Sequence, residues 1–321
     1  MNTELLSASN THDIDRAGEL LLAGELVAVP TETVYGLAAD ATNPEAVAKI
    51  FAAKNRPTNH PLITHIHSVD VLSNWACHIP EWVYGLVDKC WPGPLTLILE
   101  KQPEVNDIIT GGLPTIGLRM PNHPVLRELL SSHQLAVAAP SANPYQRLSP
   151  TTAEQVMDGL QGKIAAVLDG GPCQIGTEST ILAVYDGKAR LLRSGPLSLN
   201  DIQPYVPMTI ECPEAHQEAV SGNKEIHYQP YTAVYLKTTA TILSQEIPES
   251  VALLTYSKAL KNIPANRVIH LDESVAAYRK GLYASLFALD KMHVKEIWVE
   301  LPPEQDGWLD IRDRLSKAGS F

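Results

Sequence analysis

The chain has 321 residues, 36 Asp and Glu against 25 Lys and Arg, a formal net charge of −11 and 45% hydrophobic residues. That length exceeds one ordinary core and predicts two domains, and the apolar fraction excludes global disorder. The acidic balance argues against a nucleic-acid coat or a membrane-surface protein, while leaving room for a local basic cleft.

The N-terminal stretch "MNTELLSASNTHDIDRAG" carries neither a basic n-region nor an apolar run, so no secretory signal is expected. A helix is predicted at "IDRAGELLLAG" and a strand at "LVAVP" (26–30). "TNPEAVAKIFAAK" is the clearest helix: Asn43 can cap it, Pro44 suits its first position, and Glu45 meets the positive end of the dipole. Val47, Ile50, Phe51 and Lys54 share one face, so Lys54 is expected to point inward. Further strands are read at 62–66, 95–99, 116–120, 135–140, 164–170, 179–185 and 189–193, between helices at "PEWVYGLVDKC", "HPVLRELL" and "TTAEQVMDGL". From Pro196 to Pro230 the prolines at 196, 204, 207, 213 and 230 and a polar middle predict a linker. Beyond it "TAVYLK", "VALLTY", "RVIHL" and "KEIWVEL" alternate with helices near 273–292 and 306–318, which predicts a small parallel α/β domain.

Several chemistries are excluded by absence. There is no G-x-x-x-x-G-K-[ST], no G-x-G-x-x-G after a strand and no G-x-S-x-G. The four cysteines stand at 77, 90, 173 and 212 without a C-x-x-C pair, so reduced thiols in a cytoplasmic protein are expected. No run is long and apolar enough to span a bilayer.

What recurs is an apolar strand followed by a hydroxyl or a guanidinium. "PTETVYGLAAD" sets Thr31, Glu32, Thr33 and Tyr35 after a strand, where α/β proteins bind ligands, although hydroxyls capping a turn explain it equally well. "KNRPTNHPL" (54–62) holds Lys54, Arg56 and His60 on a proline-braced turn; by itself it reads as a wet surface turn or an anion site. "LITHIHS" places His65 and His67 on one strand face, more often structural than metal-binding. Arg119 in "GLRMP" sits in a strand-like run and needs a polar cavity or an edge. "APSANPYQRLSP" offers Ser141, Asn143 and Ser149, "GTESTI" offers Ser179, and "RLLRSGP" ends on Arg193. Converging cations and hydroxyls from separate segments suit a nucleoside triphosphate together with a small polar substrate.

In order and spacing, "PTETVYGLAADA", "KNRPTNHPL", "GLRMPNHP", "APSAN" with "SPTTAE", and "GTESTI" with "LLRSG" resemble the threonylcarbamoyl-AMP synthase family of YrdC-type fold. "YRKGLYASLFALDKMHVKEIWVELPPEQDGWLDIRDRL" is similar to the extra C-terminal domain of that family's two-domain form. The resemblance implies an α/β fold with a twisted, partly curled mixed sheet around a concave cavity in residues 1–200, a linker crossing the cavity at 201–230, and a small Rossmann-like parallel α/β domain at 231–321. It implies synthesis of threonylcarbamoyl-AMP and pyrophosphate from L-threonine, bicarbonate and ATP, for threonylcarbamoyladenosine modification of tRNA. Thr33, His65, Arg119, Ser179 and the backbone of Ala139 would hold threonine. Arg56, His60, Thr115, Ser141, Asn143, Ser149, Arg193 and Tyr228 would hold ATP, and Lys54, Arg56 and Arg193 would act at the phosphates. Mg²⁺ would come with ATP, held mainly by phosphates rather than by protein side chains. A threonylcarbamoyl transferase complex would act downstream, tRNA would be reached only indirectly, and no membrane is involved. The linker departs from the family pattern: Ser221 to Gln229 keeps His227, Tyr228 and then Pro230, but lacks the Tyr-Arg that usually precedes them, which implies looser closure. An RNA-binding module would need a broad basic face that this acidic chain lacks. A hydrogenase-maturation carbamoyl transferase would need zinc-finger segments that four scattered cysteines do not supply.

Overall fold

The computed structural model describes residues 2–213, 228–263 and 267–320. The first part runs β1 (Glu4–Ser7), α1 (Thr11–Leu22), β2 (Val27–Val29), β3 (Gly36–Asp40), α2 (Pro44–Lys54), β4 (Ile63–His65), α3 (Glu81–Cys90) and β5 (Leu95–Glu100). It continues through α4 (Asp107–Thr110), β6 (Thr115–Arg119), α5 (Pro124–Ser132), β7 (Val137–Ala138), α6 (Ala153–Leu160), β8 (Ala166–Asp169), β9 (Thr180–Tyr185), β10 (Lys188–Arg193) and α7 (Leu199–Ile202). The second part holds β11 (Ala233–Lys237), α8 (Thr239–Ser244), β12 (Val251–Thr255), β13 (Val268–His270), α9 (Val275–Asp290), β14 (Glu296–Glu300) and α10 (Leu309–Ala318).

Helix α2 forms as its sequence dictates. Asn43 accepts from the backbone N–H groups of Glu45 and Ala46 at 3.1 Å, Pro44 opens the first turn, and Asn55 closes the helix in the left-handed region at φ 54°. The first ten strands make one mixed sheet in the order β1-β8-β2-β3-β7-β4-β6-β5-β9-β10. Its alternating side chains feed two cores. Val27, Val29, Ala38 and Val137 pack with Ile14, Leu21, Leu126 and Leu129 of α1 and α5. Ala28, Leu37, Ala39 and Ala138 pack with Val47, Ile50, Phe51, Leu86 and Val156 of α2, α3 and α6.

Strands β11-β14-β12-β13 form a separate, wholly parallel sheet. Leu254, Ile297 and Val299 on one face meet Tyr278, Leu282, Leu286 and Leu289 of α9 and Ile311 and Leu315 of α10. The same core takes in Val34, Leu148 and Tyr228, so loops of the first part pack on the second sheet's core beside the cavity described below. Gly176 lies on this seam at φ 91°, and a Cβ there would stand 2.6 Å from the Arg279 carbonyl oxygen.

The structure differs from the sequence reading in three strands. β1 was not expected: it is a short edge strand, parallel to β8, with Leu5 exposed. β3 falls where hydroxyls were expected to cap a turn; it pairs antiparallel with β2 and β7. Its Gly-Leu-Ala-Ala run has little β propensity, yet its first residue packs closely, because a Cβ on Gly36 would sit 3.3 Å from the Ala139 Cβ. The strand expected over 135–140 shrinks to the two residues of β7. Most of the polar middle of the linker, including His227 and the altered positions before it, lies outside the described residues; Tyr228 lies within them. No helix among the described residues is long and apolar enough to cross a membrane.

Candidate active site

A cavity opens where the turn after β2 and the ends of β4, β6, β7, β9 and β10 converge, and Tyr228 contributes to its lining. The turn after β2 is organised by one hydroxyl. Thr31 Oγ1 accepts from the N–H groups of Thr33 at 3.0 Å and Val34 at 3.2 Å and donates to the Val34 carbonyl at 2.6 Å. It also lies 2.8 Å from Thr33 Oγ1, which accepts from Arg119 Nη1 at 2.9 Å.

Arg119 and His65 are brought together by register, facing each other across the parallel β4–β6 ladder. Arg119 also donates through Nε to the Gly93 carbonyl at 3.3 Å. Its Nη2 lies 2.6 Å from Glu32 Oε1, a buried ion pair whose angles do not make a hydrogen bond. The guanidinium is therefore held on three sides before any ligand arrives. Burial, then the charge of Arg119, pushes the His65 imidazole down to about 3, so the ring is neutral near pH 7. Its Nδ1 is buried on the cavity wall with no hydrogen-bond partner among the described residues.

On the opposite strands, Ser179 Oγ lies 2.7 Å from Thr96 Oγ1 and accepts from Arg193 Nη2 at 3.1 Å, while Arg193 Nε donates to the Ser179 carbonyl at 3.0 Å. Arg56 follows the left-handed Asn55 and donates to the Pro61 carbonyl at 3.0 Å, so the proline-braced turn carries it into the cavity. Burial lowers its pKa to about 10, which leaves it cationic at neutral pH. The Ala139 N–H donates to the Ile63 carbonyl at 2.9 Å.

Of the residues that the resemblance assigns to the substrates, Thr33, Arg56, His65, Arg119, Ala139, Ser141, Ser179, Arg193 and Tyr228 line the cavity. Five do not. Lys54 points inward as expected and is only 2% exposed, but its ammonium donates to the carbonyls of Ser141 and Asn143 and to Asn143 Oδ1. With three donors engaged by backbone and amide acceptors, it ties the end of α2 to the Ser141–Asn143 loop instead of facing the cavity. Asn143 is used likewise: Oδ1 accepts from Lys54 and Nδ2 donates to the carbonyls of Pro144 and Arg147. Ser149 is fully buried and donates to Glu178 Oε1 at 2.6 Å. His60 lies beside Tyr145, ring centroids 5.7 Å apart, and Thr115 is the half-buried first residue of β6, paired with Glu100.

Thr31, noted in sequence with its turn but given no ligand, also lines the cavity, as do Val34, Gly36, Ile63, Pro140 and Glu178, which the sequence did not single out. Each stands inside or beside a quoted stretch, and Glu178, in "GTESTI", is the ionisable one among them. Burial opposes its ionisation, but the charges of Arg314 and Arg193 and the Ser149 hydroxyl outweigh burial and hold the carboxyl down to about 2. The cavity thus presents three guanidiniums, a neutral imidazole and one carboxylate, a set suited to a ligand with more than one anionic group.

Known proteins share both halves of this architecture. Residues 19–195 match the family described as "Telomere recombination" (Sua5, YciO, YrdC), and residues 197–320 match "Threonylcarbamoyl-AMP synthase, C-terminal domain". The chain is 35% identical over 317 residues to the threonylcarbamoyl-AMP synthase of Pyrococcus abyssi, covering 95% of this chain and 93% of that protein. It is 37% identical over 328 residues to that of Bacillus subtilis, covering 97% and 94%. The crystal structure of P. abyssi Sua5 complexed with L-threonine superposes with a TM-score of 0.90 at 32% identity, over 100% of both chains. The structure of Escherichia coli YciO, at 21% identity and a TM-score of 0.56, shares the fold of the larger part. With both of its parts matched and nearly its full length aligned, the chain belongs to the threonylcarbamoyl-AMP synthase family.

Proposed function

We propose that the protein is an L-threonylcarbamoyladenylate synthase, joining L-threonine, bicarbonate and ATP into threonylcarbamoyl-AMP with release of pyrophosphate. The observation that carries this reading is the cavity itself: Arg56, Arg119 and Arg193 reach it from three separate segments, and Arg119 is already fixed to Thr33 beside a neutral His65. The Arg119 fork suits the threonine carboxylate, with Thr33, His65, Ser179 and the Ala139 backbone around it. Arg56, Arg193, Ser141 and Tyr228 suit the nucleotide. Ser149, Asn143 and Lys54 support that wall from behind, and His60 and Thr115 stand outside the lining and enter only if the nucleotide extends past it.

In this reading the threonine amine takes up CO₂ derived from bicarbonate and loses a proton. An oxygen of the resulting carbamate attacks the α-phosphorus, and the bond to the pyrophosphate oxygen breaks. Arg56 and Arg193 meet charge growing on the phosphorus and the leaving group, while the bound geometry supplies much of the rate through orientation. Mg²⁺, entering with ATP, would neutralise phosphate charge. The one carboxylate in the lining, Glu178, already accepts from Ser149, Tyr283 and Arg314, which fits a metal held by phosphates and not by the protein. The product would pass to a transferase complex that modifies tRNA, so tRNA need not bind here. Four free cysteines fit a reducing, cytoplasmic setting.

Purified protein is expected to release pyrophosphate only when threonine, bicarbonate and ATP are present together. ATP turnover that proceeds equally without threonine would overturn the assignment.

A further inference from the structure

Glu178 is an anion in a cavity read as holding a polyanion, and its partners come from the other half of the chain. Its residue is 7% exposed. Oε1 accepts from Ser149 Oγ at 2.6 Å. Oε2 accepts from Tyr283 OH at 3.1 Å and from Arg314 Nε at 3.0 Å. Tyr283 lies on α9 and Arg314 on α10, 105 and 136 residues further along the chain. Burial pushes the Tyr283 hydroxyl well above its usual range, so it remains a donor. Arg314 is completely shielded from solvent at its side chain, and its guanidinium sits 5.5 Å from the ring centre of Tyr228. Tyr228 in turn stacks on Tyr283 with ring centroids 5.8 Å apart, and it lines the cavity. Arg193 senses the Glu178 charge, yet it donates to Ser179 rather than to Glu178.

A buried carboxylate seeks a cation, because leaving a buried charge uncompensated is costly. Two guanidiniums are near Glu178, one on the catalytic half and one on the C-terminal half. We infer that Arg314 and Tyr283 are positioning residues of the nucleotide site: by holding and neutralising Glu178 they keep it from drawing Arg193 out of its cavity-facing pose, and they seat Tyr228 against the cavity. This rests on the reading of Arg193 and Tyr228 as nucleotide contacts. It gives the C-terminal part a share in the active site that is more than cover.

The test uses the full chain with Arg314→Met, Glu178→Gln and the double variant, each assayed for pyrophosphate release across ATP and threonine concentrations. Arg314→Met is expected to raise KM for ATP by about 10- to 100-fold, the scale of a displaced binding group. Adding Glu178→Gln removes the anion that captures Arg193 and is expected to recover most of that loss. A role confined to holding the two parts together would lower the melting temperature and the amount of active enzyme without moving KM for ATP. An unchanged KM for ATP in Arg314→Met overturns the inference, as does a double variant no better than the single. If Arg314→Met does not fold, a folded double variant with KM for ATP near that of the parent supports the inference, and one with KM raised about tenfold or more overturns it. Failure of the parent protein to release pyrophosphate would instead remove the reading of the cavity on which the inference stands.

Discussion

Replacing Lys54 by Met is expected to loosen the protein before it slows any chemistry. The ammonium bridges three acceptors, the carbonyls of Ser141 and Asn143 and the Asn143 side-chain oxygen. Met fills nearly the same volume, so the cavity term is small, but the three acceptors are left buried without their donor. Each such group costs about 1–3 kcal/mol. Burial and the nearby Arg56 charge lower the Lys54 pKa, so removing the cation also relieves an unfavourable environment. A net loss of about 3 kcal/mol follows once this relief is subtracted. For a cooperative unit of this size that is a fall of about 6–12 °C in the unfolding midpoint. Thermal unfolding followed by circular dichroism reads it directly, and the same sample should show a raised KM for ATP because Ser141 lines the cavity. A melting point within about 2 °C of the parent, joined to a loss of about 100-fold or more in kcat, would refute this reasoning. That result would put the Lys54 ammonium on the nucleotide.

Arg119→Lys should weaken threonine binding by about 10- to 100-fold, because an ammonium cannot keep the fork that Thr33, Glu32 and Gly93 hold in place. Titration calorimetry with threonine, alongside an ATP titration that stays near the parent value, checks it; equal threonine affinity would count against the site. Glu178 also makes an acid-side prediction. Its folded pKa of about 2 lies below that of an unfolded glutamate, so the unfolded chain binds more protons in between. The stability it contributes, on the order of 3 kcal/mol, is present above about pH 4.3 and is lost as pH falls through that window toward 2. Urea midpoints should therefore fall more steeply with acid in the parent than in Glu178→Gln, which starts less stable; parallel acid limbs would contradict the pairing.

Much of the architecture is legible in the sequence because its causes are local. Asn43-Pro44-Glu45 starts a helix, Val47, Ile50 and Phe51 give it a buried face, and Asn55 ends it, all within a dozen residues. The alternation of Val27, Ala28 and Val29 between two cores needs only the two-residue strand period. The inward direction of Lys54 was readable in the same way, and so was the parallel second sheet, whereas the proline-braced turn of Arg56 read by itself as either a wet turn or an anion site. Tertiary structure decided what those groups meet. Gly36 to Asp40 became a strand because backbone partners on β2 and β7 outweighed weak propensity and its first residue packs closely against Ala139. Lys54 met carbonyls 87 and 89 residues away. His65 and Arg119 met through a ladder register that no spacing records. Glu178 acquired its meaning from Arg314, 136 residues further on. The sequence by itself determined which chemical groups the protein carries and which short segments aim them. Only the packed chain decided which of those charges face the ligand and which are neutralised by one another, because a buried charge is governed by its nearest partners in space and not along the chain.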